Sequence, residues 1–167
     1  MSNEEVYTNL VNTHLDEIYN FSYHMLFDHE EAQDVAQKTF IALHKNIIKL
    51  DLNFPVRAWL FRVARNNCLD AIKRKKALLF SDLEEESLEV PSEDPGLETK
   101  LDDVLFLESF KEQLKDLPAN VREIMVMKYY EDLTFEEISD ILARPLNTVK
   151  SQFYRGKIRL YKIIKGL

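Results

Sequence analysis

From Ser81 to Glu98 the chain reads SDLEEESLEVPSEDPGLE, with eight acids, no base, two of the five prolines and one of the three glycines. A segment of this kind repels itself and carries no apolar stripe to bury, which predicts an extended, flexible linker. It restricts folding to what lies on either side. The division is an N-terminal domain over residues 1–78, a linker over 79–100 and a C-terminal domain over 101–167. Each is large enough to fold alone, but only just. Outside the linker, apolar residues recur at helical spacing and no strand alternation is found. The expected fold is all-α, with two small helical domains joined by an acidic flexible linker and a helix-turn-helix in the second.

The helix signals are local. Val6, Leu10, Leu15, Ile18, Phe21 and Met25 keep near-helical spacing and predict a first helix. Asp28 with Glu31 resembles a capping box and opens a second helix through about Ile48. Asp51-Leu52-Asn53 makes a turn, and Pro55 suits the first turn of a third helix, where its missing N–H is no loss. Beyond the linker, Leu101, Val104, Leu105 and Leu114 predict a fourth helix, and Pro118 opens a fifth through about Tyr130. Thr134-Phe-Glu-Glu137 is a capping box, with Leu133 and Ile138 placed as its hydrophobic staple. That helix ends near Leu142, Ala143-Arg144-Pro145 breaks it, and a longer helix starts at about Leu146. A short capped helix, a tight turn and a second helix form the helix-turn-helix pattern.

Several classes of function are excluded early. The three glycines lie far apart, so no loop can bring clustered backbone amides to a phosphate. His14, His24, His29 and His44 lack metal-ligand spacing, and no arrangement for nucleophilic catalysis is found. The expectation is a protein without a cofactor or metal that is not an enzyme. The single cysteine, Cys68, rules out an internal disulfide. No apolar run is long enough to span a bilayer, and the opening Met-Ser-Asn-Glu-Glu lacks the features of a signal peptide. A cytoplasmic location follows as an expectation.

The net charge of −7 would argue against nucleic acid if it were spread evenly. It is not. Residues 1–54 carry −6, residues 55–76 carry +6, residues 77–110 carry −10, residues 111–140 carry −4 and residues 141–167 carry +7 with no acid at all. Two basic blocks therefore stand in helical patterns, held apart by acidic segments. On a helical wheel, Leu146, Val149, Phe153, Gly156, Leu160, Ile163 and Ile164 share one side of the last helix. Asn147, Thr148, Ser151, Tyr154, Arg155, Arg159 and Lys162 share the other, with Ile158 out of place. An acid-free face with hydrogen-bonding side chains near its N-terminus, directly after a helix-turn, fits a recognition helix. The third helix divides in the same way, into Leu60, Phe61, Ala64, Cys68, Ala71 and Ile72 against Arg62, Arg65, Asn66, Lys73 and Lys76. Its basic arc is suited to phosphates, and Cys68 falls on the buried arc.

Three passages then resemble the extracytoplasmic-function group of bacterial sigma factors. They are Asp34-Val-Ala-Gln-Lys-Thr-Phe40; Arg57-Ala-Trp-Leu-Phe-Arg-Val-Ala-Arg-Asn66 with Cys68-Leu-Asp70; and Leu117-Pro with Arg122-Glu, Tyr130-Glu-Asp-Leu-Thr-Phe-Glu-Glu-Ile138 and Pro145-Leu-Asn-Thr-Val-Lys-Ser151. Together with the linker they cover nearly the whole chain. The resemblance implies a factor that directs core RNA polymerase to promoters and helps to open the DNA. It implies that Asp34, Gln37, Lys38 and Ile41 dock on the clamp of the largest polymerase subunit. By the same resemblance Arg62, Arg65, Asn66 and Lys73 meet the −10 element. Asn147, Thr148, Lys150, Ser151, Arg155, Arg159 and Lys162 would meet the −35 element. It also implies an anti-sigma factor as partner, membrane-bound or free. Lys38 stands where the family usually has glutamate, which bears on any charge pair there, and Gln152 where an arginine is common after Lys-Ser, which implies a promoter preference different from that of relatives. The residues alone leave two other readings open, an ordinary helix-turn-helix regulator and a helical interaction module that binds no nucleic acid.

Overall fold

The computed structural model describes residues 2–51, 53–79 and 109–166, which belong to two separate units. The described elements are helical, as expected from the absence of strand patterning. The greater part of the linker, and the apolar repeat at Leu101, Val104 and Leu105, lie outside the described residues.

The first unit is three helices: α1 (Asn3–Leu26), α2 (His29–Asn46) and α3 (Val56–Leu78). The sequence pattern starts α1 at Val6, but its true start is three residues earlier. Ser2 accepts from the Glu5 N–H at 3.2 Å while Glu5 Oε2 accepts from the Ser2 N–H at 3.0 Å, a full capping box. Asp28 caps α2 by accepting from the Glu31 N–H at 3.0 Å. A 3-10 turn, Ile47–Lys49, finishes what the sequence reads as the end of that helix. Pro55 is the N-cap of α3. The three helices bury Ile18, Phe21 and Met25 of α1, Val35, Phe40 and Leu43 of α2, and Leu60, Phe61 and Ala64 of α3. Phe21 and Phe61 meet edge-to-face with ring centroids 5.5 Å apart, the arrangement that aligns a ring's positive edge with its neighbour's negative face. Cys68 lies on this core face, fully buried. At the entrance to α3, Arg57 reaches across to Glu17 of α1 at 3.1 Å, which ties the two helices together at their rim.

In the second unit residues 109–113 are helical and run into a 3-10 turn, Leu114–Asp116. Then come α4 (Ala119–Tyr129), α5 (Phe135–Leu142) and α6 (Leu146–Lys165). Pro118 is the N-cap of α4. Arg122 secures the turn before it by donating to the carbonyls of Leu114, Lys115 and Leu117 at 3.1, 3.2 and 2.9 Å. Burial lowers its pKa, and nearby Asp116 opposes that shift. Thr134 and Glu137 form both hydrogen bonds of the expected capping box, at 3.1 Å each. Leu133 and Ile138 on either side of it are buried. The core gathers Phe110, Ile124, Met125, Ile138, Val149, Phe153 and Leu160.

The α5–α6 break turns on Ala143, whose φ of 53° lies in the left-handed region. An alanine there carries a steric cost of roughly 1–2 kcal/mol that glycine avoids. Glycine in turn loses more freedom on folding, about 0.5–1 kcal/mol. Because Ala143 is exposed and buries nothing, Ala143→Gly should raise the stability of the second unit by about 0.5–1 kcal/mol. A thermal melt checks this, and an unchanged or lowered midpoint would show that the turn is not strained.

Candidate polymerase and nucleic-acid interfaces

On α2 the alternation of exposure is complete. Val35, Ala36, Thr39, Phe40 and Leu43 are buried, whereas Asp34, Gln37, Lys38 and Ile41 all face outward. Lys38 Nζ lies 2.9 Å from Asp34 Oδ2, an i, i+4 pair along the exposed face. Such a pair on the surface is worth only about 0.3–0.5 kcal/mol. It does mean that the Asp34 carboxylate already has a cation on its own helix. Ile41 is 53% exposed, unusually open for an isoleucine in a helix. It stands with Gln37, Leu15 and Phe40 on a groove of ≈570 Å³ between α1 and α2. Within this four-residue patch the Asp34–Lys38 pair is charge-neutral and Ile41 adds an apolar end, while Glu30 and Glu31 make the first turn of α2 acidic.

On α3 the buried arc is Leu60, Phe61, Ala64, Cys68 and Ala71, with Ile72 half-buried at its edge. Arg62, Asn66 and Lys73 are exposed, and Arg65 is half-buried. Arg65 Nη1 donates to Asn66 Oδ1 at 3.3 Å, which orients the amide on the basic arc. The structure therefore gathers all four residues named from the sequence on the outer side of one helix.

On α6, Val149, Gln152, Phe153, Gly156 and Leu160 are buried. Asn147 and Lys162 are exposed, and Thr148, Lys150, Ser151, Arg155 and Arg159 are half-buried at the unit's surface. The first turn holds no acid, so the positive end of the helix dipole adds to the side-chain charge there. Gln152 does not belong to this face. Sequence reasoning tied its departure from the family pattern to promoter preference, yet the side chain points inward and is only 8% exposed. It accepts from Arg144 Nη1 at 3.1 Å. Arg144 was read only as part of a helix break, and Glu123 only as part of a motif. The two form an ion pair in which the Glu123 carboxylate is fully buried. The wheel held a signal for Gln152, since 149, 152, 153, 156 and 160 make one i, i+3, i+4, i+7 stripe. For Arg144 there was none, because its partners lie up to 24 residues away.

Among the described residues no group of histidine, cysteine, aspartate or glutamate side chains could hold a metal ion. None of the described helices is long and apolar enough to cross a membrane.

Comparison with known proteins is consistent across both units. Residues 10–78 match Sigma-70 region 2, and residues 107–160 match Sigma-70, region 4. The ECF RNA polymerase sigma factor SigW of Bacillus subtilis is 31% identical, over 98% of this chain and 91% of that protein. The chain belongs to the extracytoplasmic-function sigma factors of the sigma-70 family. It is a sigma factor that directs RNA polymerase to promoters. SigE of Mycolicibacterium smegmatis is 30% identical to this sigma factor, over 90% of the chain and 58% of that protein. Among solved structures, the sigma factor RpoE of Bartonella quintana, in complex with the anti-sigma factor NepR, has a TM-score of 0.72. It is 22% identical and is covered over 98% of its length, with 96% of this chain aligned. CnrH, in complex with the cytosolic domain of CnrY, gives 0.69 at 18% identity, covering 98% of this chain and 90% of that one. These two likenesses establish the fold.

Proposed function

We propose that the sigma factor divides its work between the units as its exposed faces suggest. The outward face of α2, with Asp34, Gln37, Lys38 and Ile41, docks on the clamp of the largest polymerase subunit. The basic arc of α3, with Arg62, Arg65, Asn66 and Lys73, meets the −10 element and helps to open it, Asn66 holding a base taken out of the stack while its neighbours hold phosphates. In the second unit α6 reads the −35 element. The observation that carries this reading is the acid-free outer face of α6, which begins directly after a capped helix and a tight turn. The protein is read as cytoplasmic and without a catalytic step, in keeping with a family of initiation factors. RpoE and CnrH were each solved with a protein bound, an anti-sigma factor in the case of RpoE. By analogy, this chain is read as controlled by an anti-sigma factor of its own.

The residues of α6 sort by role. Asn147, Thr148 and Ser151 stand in the first turns, where side chains reach base edges, while Arg159 and Lys162 lie further along, where the helix leaves the groove. Lys150 lies within the first turns and Arg155 between the two sets, and both are assigned to DNA without a choice between base and phosphate. A lost base contact costs roughly 1–3 kcal/mol and relaxes preference at one position, whereas a lost phosphate contact weakens all sequences alike and lowers the salt slope. Ser151→Ala should therefore flatten preference within the −35 element, and Lys162→Ala should leave it intact. Transcription from promoter variants at two salt concentrations measures both. The opposite pattern would mean that the helix is oriented the other way.

The docking face has its own test. Replacing Asp34 and Gln37 together by alanine should reduce affinity for core polymerase with no change in helical circular dichroism, because neither side chain is buried. If the double variant binds polymerase like the parent, the interface lies elsewhere.

A further inference from the structure

Arg144 occupies the short break between α5 and α6, where the direction of the recognition helix is decided. Its backbone is fastened to α5. The N–H donates to the Ser139 carbonyl at 3.2 Å, and the Arg144 carbonyl accepts from Ser139 Oγ at 2.6 Å. Its side chain reaches the other way. Nη1 donates to the Asn120 carbonyl at 3.0 Å and to Gln152 Oε1 at 3.1 Å, and Nη2 pairs with Glu123. Asn120 and Glu123 belong to α4 and Gln152 to α6, so one residue joins all three helices.

The chemistry of these groups makes the junction selective. A guanidinium is a rigid planar fork with fixed donor directions. Here it satisfies the α4 carbonyl, the α4 carboxylate and the α6 amide together, and a rotation of α6 about its own axis would carry the Gln152 amide away from the fork. The Glu123 carboxylate is fully buried, and a buried charge cannot give up its cation without a large loss. Alternative seats of α6 that pull Arg144 away are thereby excluded. Gln152 is the immediate neighbour of Ser151, so whatever fixes the rotation at Gln152 also fixes the direction of the DNA-facing side chains.

We propose that Arg144, with Glu123 and Gln152, is a positioning device that sets the rotation of α6 and so selects which bases its outer face meets, without touching DNA itself. The inference rests on the reading of α6 as the −35 helix. The cation of this cluster comes from the break at 144, and residue 152 supplies the amide. The tips of the two side chains are within hydrogen-bonding distance, so exchanging the residue types would offer Glu123 its cation from the other side.

The full-length protein with core RNA polymerase is tested as Arg144→Gln, Gln152→Arg and the double exchange, with Ser151→Ala as control. Output is measured from promoters carrying every single-base change in the −35 element, alongside thermal melting. Each single exchange should lower output at the best −35 sequence about tenfold, as one misplaced base contact does, and should reorder the variants. The double exchange should restore the parental order and most of the output. A merely structural defect would scale all promoters down together and keep their order. If either single exchange keeps the order while Ser151→Ala changes it, the positioning role is overturned and the assignment of α6 stands. If Ser151→Ala also keeps the order, the assignment of α6 falls and the inference falls with it. Should Arg144→Gln fail to fold, the double exchange carries the test. A folded double variant with the parental order supports the proposal, and one that recovers neither folding nor order defeats it.

Discussion

Free in solution, the protein should bind an isolated promoter duplex only weakly, and bind the same promoter at least about a hundredfold more tightly once core polymerase is present. The two basic blocks carry +6 and +7, but they lie within a chain whose remaining segments total −20. Long-range repulsion from those acids opposes each DNA contact. Each basic helix alone offers a small set of phosphate contacts, the regime in which non-specific dissociation constants fall at about 10⁻⁴–10⁻⁶ M at physiological salt. In the proposed division of work polymerase joins the complex through α2, and its own DNA contacts then add to those of the chain as intramolecular ones, for which avidity gains of about 10²–10⁴ are typical. Titrations of labelled duplex at two salt concentrations, with and without core polymerase, measure the difference. Nanomolar binding by the free protein would show that its acidic segments do not hold back DNA binding and that polymerase is not needed for it.

Replacing Gly156 by alanine should destabilise the second unit, although helix propensity by itself favours alanine by about 1 kcal/mol. A Cβ at position 156 would fall 2.6 Å from Val121 Cγ1 and 3.2 Å from Met125 Sδ. Both neighbours are fully buried, and a β-branched valine in a helix has essentially one rotamer to offer. The helices α4 and α6 would have to separate, and overpacking of this kind costs typically 1–3 kcal/mol. Set against the propensity gain, a net loss of up to about 2 kcal/mol remains, at roughly 4–8 °C in melting temperature for each kcal/mol in a unit of this size. Shortening Val121 to alanine should rescue the variant, giving a coupling between the sites that distant positions do not show. A raised midpoint for Gly156→Ala would mean that the crossing is looser than these distances require.

What could be read in advance was whatever the chain decides within four residues. The Thr134 and Asp28 caps, the prolines that open α3 and α4, and the faces of α2, α3 and α6 all follow from spacing. They were legible because a cap or a wheel position is set by its own turn of backbone. The Ser2–Glu5 box is equally local, but it lies ahead of the apolar repeat that marks α1, which begins only at Val6. The cluster at Arg144 was illegible for a different reason. Its three side-chain partners come from α4 and α6, and nothing near residue 144 marks an arginine that will be used to close a junction. Gln152 shows the consequence: as a departure from the family pattern it points only to a different promoter preference, whereas burial makes it part of the support behind the outer face of α6. The face of α2 proposed for docking was legible as an exposed face; the partner proposed for it came from family likeness.

The placement of Cys68 gives the molecule a built-in clock. It is the only thiol in the chain, and the packing of the α3 core face within the first unit covers it completely. A thiol reagent cannot reach the sulfur until α3 lifts from its neighbours, so alkylation proceeds through openings rather than through the closed state. When reclosing outruns the reagent, the labelling rate reports the equilibrium between closed and open forms; when the reagent is faster, it reports the opening rate itself. The second unit has no cysteine, so it contributes no labelling signal of its own. Any ligand that clamps the first unit shut would slow the label in proportion to how firmly it holds, and one that grips only the second unit would leave it untouched.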